Sequence, residues 1–153
     1  MLMALVTPPP SGGYRLTAPN APTTAKLARD WVCLVLRGLG RAELLEPARL
    51  CVSEAVANVY AHTRSPQVEV LVDVPAGERA AVTFGVRDDG GGAVLPYVRE
   101  TSAEREGGRG LLLLDVYAQA WGVRVGAALG GTPGPGGGAD GKEVWFRLAA
   151  AVA

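Results

Sequence analysis

Apolar residues along this chain recur with two different periods, and the change falls near residue 65. In the first part, Leu27, Trp31, Leu34 and Val35 lie three or four positions apart, the spacing of a helix with one face turned inward. Gly38 and Gly40 supply its stop. A second helix is predicted over about 42–61, with Leu45, Ala48, Val52, Ala55, Val56 and Val59 as its buried stripe. Pro47 falls in its first turn, where a missing amide hydrogen costs little. The period then drops to two. "QVEVLVDV" places Val68, Val70, Val72 and Val74 on one face, and after the turn "PAGER" the stretch "AVTFGVRD" does the same with Val82, Phe84 and Val86. "GGRGLLLLDVYAQAW" predicts a third helix with a glycine-rich entry, "GVRVGAAL" and "KEVWFRLA" two closing strands, and "YRLTA" a short edge strand.

One-sided alternation suits a sheet covered by helices on a single face. The expected fold is therefore α+β: a two-layer α/β sandwich, its sheet mixed and mostly antiparallel, with about three helices on one face. Residues 1–13, with a Pro triplet and a Gly pair, are expected to form a loose arm, and 14–153 one domain. "GGTPGPGGGADG", about 130–141, is too rich in Gly and Pro for a regular element and reads as a mobile loop.

Composition narrows the function classes. Apolar residues make up 48% of the 153 and charged ones 20%, a globular balance with room for one core. Fifteen basic and fifteen acidic side chains cancel, which argues against a nucleic-acid or anionic-membrane partner held by charge. Cys33 and Cys51 sit inside helical apolar patterns without metal-ligand spacing and read as buried free thiols, which fits a reducing cytosol. The start lacks the basic lead of a signal peptide, and no segment reaches the roughly 20 apolar residues that span a bilayer, so a cytoplasmic protein is expected.

Three stretches carry candidate chemistry. In "GVRDDGGGA" the inward parity of Val82, Phe84 and Val86 continues to Asp88, whose carboxylate then points beneath the helices and needs a hydrogen-bond donor. Gly90, Gly91 and Gly92 let the backbone turn tightly and approach a flat ligand; a plain hairpin turn has the same composition. In "EGGRGLLLLD", Gly107, Gly108 and Gly110 lead into a helix whose unpaired amides suit phosphate oxygens, with Arg109 at hand; a flexible loop running into a helix is the alternative. Neither the dinucleotide glycine motif nor the Walker A pattern fits. In "CVSEAVANVYAHT", Glu54 and Asn58 share a helix face one turn apart, suited to accepting a proton and to supplying magnesium with a hard oxygen; taken alone, the two also suit a polar boundary. His62 at the end of that helix reads as a capping or packing residue, and Trp31, Trp121 and Trp145 as core or interface.

Together, "EAVAN", "DDGGG" and "GRGL" resemble the N box and the two glycine boxes of the GHKL-type (Bergerat fold) ATPases. "VSEAVANVYAHT" and "GGRGLLLLDVYAQAWGV" are similar to single-domain anti-sigma-factor serine/threonine kinases of actinobacterial type, over about 14–148. The resemblance implies ATP and Mg2+ as cofactors. It implies Asp88 on the adenine amino group, Asn58 on the metal and Glu54 as general base toward a protein Ser or Thr. It further implies Gly90 and Gly92 at the adenine side, Gly108, Arg109, Gly110 and Leu111 along the phosphates, and a lid over about 93–106. The partners it implies are a sigma factor and an STAS-type anti-anti-sigma protein, with a homodimer also a family expectation. The alternative is a non-catalytic nucleotide-binding switch or interaction module of the same fold. One departure stands out: members carry a Thr shortly before the apolar residues of the last strand, and "GKEVWF" has Glu143 at the expected hydroxyl.

Overall fold

The structure, a computed structural model, describes residues 13–75, 80–89, 109–125 and 141–150, leaving the side chains of 109–112 aside. Strand β1 (Tyr14–Pro19) is followed by helix α1 (Thr24–Gly38), a 3-10 turn (Ala42–Leu44) and helix α2 (Leu45–His62). Strands β2 (Gln67–Asp73) and β3 (Val82–Asp88), helix α3 (Arg109–Tyr117) and strands β4 (Ala120–Val125) and β5 (Lys142–Leu148) complete it. The five strands form one sheet in the order β1-β2-β3-β5-β4, and every described pairing is antiparallel. The α+β sandwich is as expected; no parallel pair appears among the described strands.

The core lies between sheet and helices. Val68, Val70 and Val72 of β2, Val82, Phe84 and Val86 of β3, and Val144, Phe146 and Leu148 of β5 are all buried on one face. Phe84 and Phe146, opposite each other, stack with ring centroids 5.1 Å apart, an arrangement worth roughly 0.5–1.5 kcal/mol beyond the area it buries. Val74 lies just past the end of β2, half-buried against this core. Helix α2 buries Ala48, Cys51, Val52, Ala55, Val56 and Val59 and packs on α1, α3, β3 and β5. It begins after Gly40, which sits at φ 70°, a left-handed turn that a glycine makes without strain.

Two sequence expectations need correction. The inward face of α1 is Ala28, Val32, Cys33 and Leu36, whereas Leu27 and Leu34 are 50% and 68% exposed; Trp31 and Val35 lie half-buried at the margin. Helix α3 ends at Tyr117, not at Trp121, because Ala120 and Trp121 pair with Arg147 and Phe146 as the start of β4. The Trp121 indole N–H donates to Asp115 Oδ1 (2.6 Å), tying the helix end to that strand.

Both cysteines are free and buried. Burial pushes the Cys51 thiol up to about 12 and raises that of Cys33 as well, so neither is prepared for nucleophilic chemistry. No described helix is long and apolar enough to cross a membrane. The expected arm over 1–13 lies outside the described residues apart from Gly13, as do the loop over about 130–141 apart from Gly141 and the lid over about 93–106.

Candidate functional site

Helix α2 continues without interruption through Glu54 and Asn58, and both side chains are half-buried. Four residues separate them, which places them one turn apart on the same side of the helix. Residues 63–66 then join the C-terminal end of α2 to β2. That link is firmly held. The Asn20 amide donates to the Ser65 carbonyl (2.8 Å), the Ser65 hydroxyl donates to the Gln67 carbonyl (2.6 Å), and the Asp89 backbone N–H donates to the Ser65 Oγ (3.1 Å). The last hydrogen bond ties the end of β3 to the chain leaving α2, and so holds Asp88 at the end of the sheet that α2 reaches.

Asp88 lies on the inward face, as strand parity implies, in register with Val68 on one side and Lys142 on the other. Extended across the sheet, this row reads Ala18, Val68, Asp88, Lys142, Val125. The Lys142 ammonium lies 3.3 Å from Asp88 Oδ2 and 3.5 Å from Oδ1, and both side chains are 1% exposed. A buried carboxylate needs a charged or hydrogen-bonding partner, and here the chain itself contributes one.

The departure noted in the last strand is thereby relocated. Glu143 does not share a face with Asp88; it points to the opposite side of the sheet, where Arg87 (3.2 Å) and Arg124 (3.1 Å) flank it. The side chain that meets Asp88 is Lys142. Sequence reasoning passed over it, although the signal was present: Val144, Phe146 and Leu148 face inward, and the same alternation extended backwards makes Lys142 inward too.

The other proposed site residues divide by position. Gly90, Gly92 and Gly108 lie outside the described residues. Arg109, Gly110 and Leu111 form the first turn of α3, so a helix N-terminus does follow the glycine-rich stretch; their side chains are not described. Helix α3 packs on α2, which brings two of the three motif-bearing segments together directly. His62 occupies the last turn of α2, half-buried, at the negative end of the helix dipole. Trp145 lies on the outer face of the sheet, between Gly85 and Gly122 in register, with the guanidinium carbons of Arg124 and Arg147 5.2 and 5.8 Å from its ring. A Cβ on Gly122 would come within 2.9 Å of the Trp145 ring nitrogen. Trp145 is packed by its own sheet rather than sitting in the core.

ATP and magnesium can be tested against this arrangement. Among the described residues no group of three His, Cys, Asp or Glu could hold a metal. Asn58 with Glu54 beside it fits an ion that takes few protein oxygens and the rest from phosphates and water. Asp88, which the resemblance assigns to the adenine amino group, is buried on the inward face with its carboxylate already facing a cation.

No curated protein matches the chain. The family profile of the histidine kinase-like ATPase domain, by contrast, matches residues 18–128, a span running from β1 through all three helices and past β4. The chain therefore belongs to the histidine kinase-like ATPase domain family, and membership implies that its ligand is ATP.

Proposed function

We propose that this protein is an ATP-dependent serine/threonine kinase of the anti-sigma-factor type. It phosphorylates an STAS-type anti-anti-sigma partner and sequesters a sigma factor when that partner is unavailable. The observation that carries the reading is the pair Glu54 and Asn58, half-buried on one side of a helix that packs on both β3 and α3. A structural boundary needs polar groups there but has no need for an acid and an amide one turn apart.

Bound ATP with its magnesium supplies the phosphoryl group. The residues of the chain provide position and proton transfer. The Asn58 carbonyl oxygen is a hard ligand that would hold magnesium, which would supply positive charge for the phosphates. The Glu54 carboxylate accepts the proton of the incoming Ser or Thr hydroxyl, a role worth typically 10²–10⁴-fold in rate. Its half-buried place allows a partner protein to reach it while limiting competing water.

The test is transfer of labelled phosphate from ATP to an anti-anti-sigma protein by wild type and by Glu54→Gln. Transfer that falls about 10²–10⁴-fold in the variant, with nucleotide binding kept, supports the kinase. Binding of ATP without transfer to any such partner removes the catalytic claim. A second reading, a switch that works by occupancy alone, is favoured by the Asp88–Lys142 ion pair, which engages inside the protein the carboxylate that the resemblance assigns to the purine. In that reading Glu54→Gln leaves the regulatory output unchanged.

A further inference from the structure

The inward row across the end of the sheet is apolar except at its centre, where an acid and a base stand directly opposed. Three properties of that pair decide what the Asp88 carboxylate can recognise. First, the register is direct: Asp88 and Lys142 are cross-strand partners, so their approach follows from the β3–β5 ladder and not from a chance rotamer. Second, the ammonium lies 3.3 and 3.5 Å from the two carboxylate oxygens, an ion pair with a long hydrogen bond to Oδ1. Third, both side chains are 1% exposed. Little water competes at such a site, and the attraction is correspondingly strong.

A purine amino group seeking the same carboxylate is a neutral donor. Charge-assisted hydrogen bonds are roughly twice as strong as neutral ones. Displacing Lys142 would leave its ammonium buried without this carboxylate, the arrangement that makes broken buried pairs so unfavourable. Sharing the carboxylate is the milder outcome, but an oxygen already neutralised by a cation is a weaker acceptor. In either event the gain from recognising the base shrinks.

We propose that Lys142 is the specificity-determining residue at Asp88, an internal cation that takes the place there which a ligand's amino group would otherwise fill. The protein then binds purine nucleotides mainly through their phosphates and discriminates poorly at the 6-position of the base. This inference rests on the nucleotide-binding reading above and specifies it. Lys142 acts on the ligand through Asp88, so its signature is selectivity, not turnover.

The experiment is titration of the full chain, with magnesium, by ATP and by purine riboside triphosphate, which lacks the 6-amino group. Wild type is expected to bind the two within about threefold, less than one net hydrogen bond is commonly worth. Lys142→Thr, which removes the cation and keeps a strand-compatible side chain, is expected to bind ATP at least about tenfold more tightly than wild type and to prefer it over the amino-free analogue by a similar factor. Lys142→Arg keeps a positive charge and should behave as wild type. A wild-type preference for ATP beyond threefold overturns the proposal, and so does a folded Lys142→Thr with unchanged or weaker ATP binding. Should Lys142→Thr not fold, the wild-type comparison decides alone. If neither wild type nor variant binds any purine nucleotide, the nucleotide reading falls together with this one, whereas strong selectivity in wild type removes this one only.

Discussion

Two rows of residues cross the sheet side by side, one on each face, and they handle charge in opposite ways. On the outer face, Thr17, Glu69, Arg87, Glu143 and Arg124 lie in register across all five strands. Their charges alternate, with Glu143 between two guanidinium groups and Arg87 also 3.6 Å from Glu69. One residue over, on the inner face, the row is Ala18, Val68, Asp88, Lys142, Val125. The outer row is redundant and wet only at its rim: Arg124 is 47% exposed and Glu143 7%, and losing one partner leaves Glu143 another. The inner row holds a dry pair flanked in register by apolar side chains. Both rows contain acid and base in cross-strand contact, yet only the inner pair is the one on which the proposed recognition turns. Equal chemistry has unequal consequences because the surroundings differ.

The largest effect expected from this contrast is on stability. Asp88→Ala leaves the Lys142 ammonium buried without its carboxylate and should cost about 3–5 kcal/mol, lowering Tm by on the order of 10 °C for a chain of this size. Thermal and urea unfolding measure it. Next comes Glu143→Gln, which removes a charge but keeps a hydrogen-bonding group beside Arg87 and Arg124; a loss of about 1–2 kcal/mol is expected. If the two variants lose equal stability, the distinction between a single pair and a shared one is wrong. Salt sharpens it further. Raising ionic strength toward 1 M shortens the screening length to roughly 3 Å and should shrink the Glu143→Gln deficit while leaving that of Asp88→Ala nearly intact.

The effect that is smallest at neutral pH concerns Cys51, which lies in the same core but carries no charge there. Burial raises its thiol from 9.0 to about 12. Above the unfolded value the unfolded chain releases a proton that the folded chain keeps, so the contribution of Cys51 to stability is complete below pH 9.0 and is lost progressively toward about 12. Comparing the alkaline slope of stability in wild type and Cys51→Ala isolates it. A slope unchanged by the substitution would mean that the thiol is not desolvated as described. In the same sense, alkylation of Cys51 at pH 8 should be far slower in the folded chain than in urea.

Much of this architecture was legible before any coordinates. The two-residue period of β2 and β3 and the stripe on α2 predicted which side chains are buried, because apolar residues there occupy one face with few competitors. Helix α1 was harder. It carries apolar residues on more than one side, and spacing alone could not choose between the Leu27–Leu34 face and the Ala28–Val32–Leu36 face. Packing against α2 chose the second, where Ala28 is fully buried and its small side chain permits a close approach. The end of α3 went astray for a related reason: "AQAW" suits a helix locally, but pairing of Trp121 with Phe146 draws it into the sheet.

What the sequence alone determined, then, is everything that depends on neighbours a few residues away: the periods, the faces, the glycine-rich entry to α3, the Glu54–Asn58 spacing and the inward aim of Asp88. What tertiary structure decided is who stands opposite. Asp88 and Lys142 are 54 residues apart in the chain, and their meeting depends on the register between β3 and β5, which local propensity does not encode. A shift of one residue would have sent Lys142 to the outer face and Glu143 inward, because a strand reverses its faces at every step.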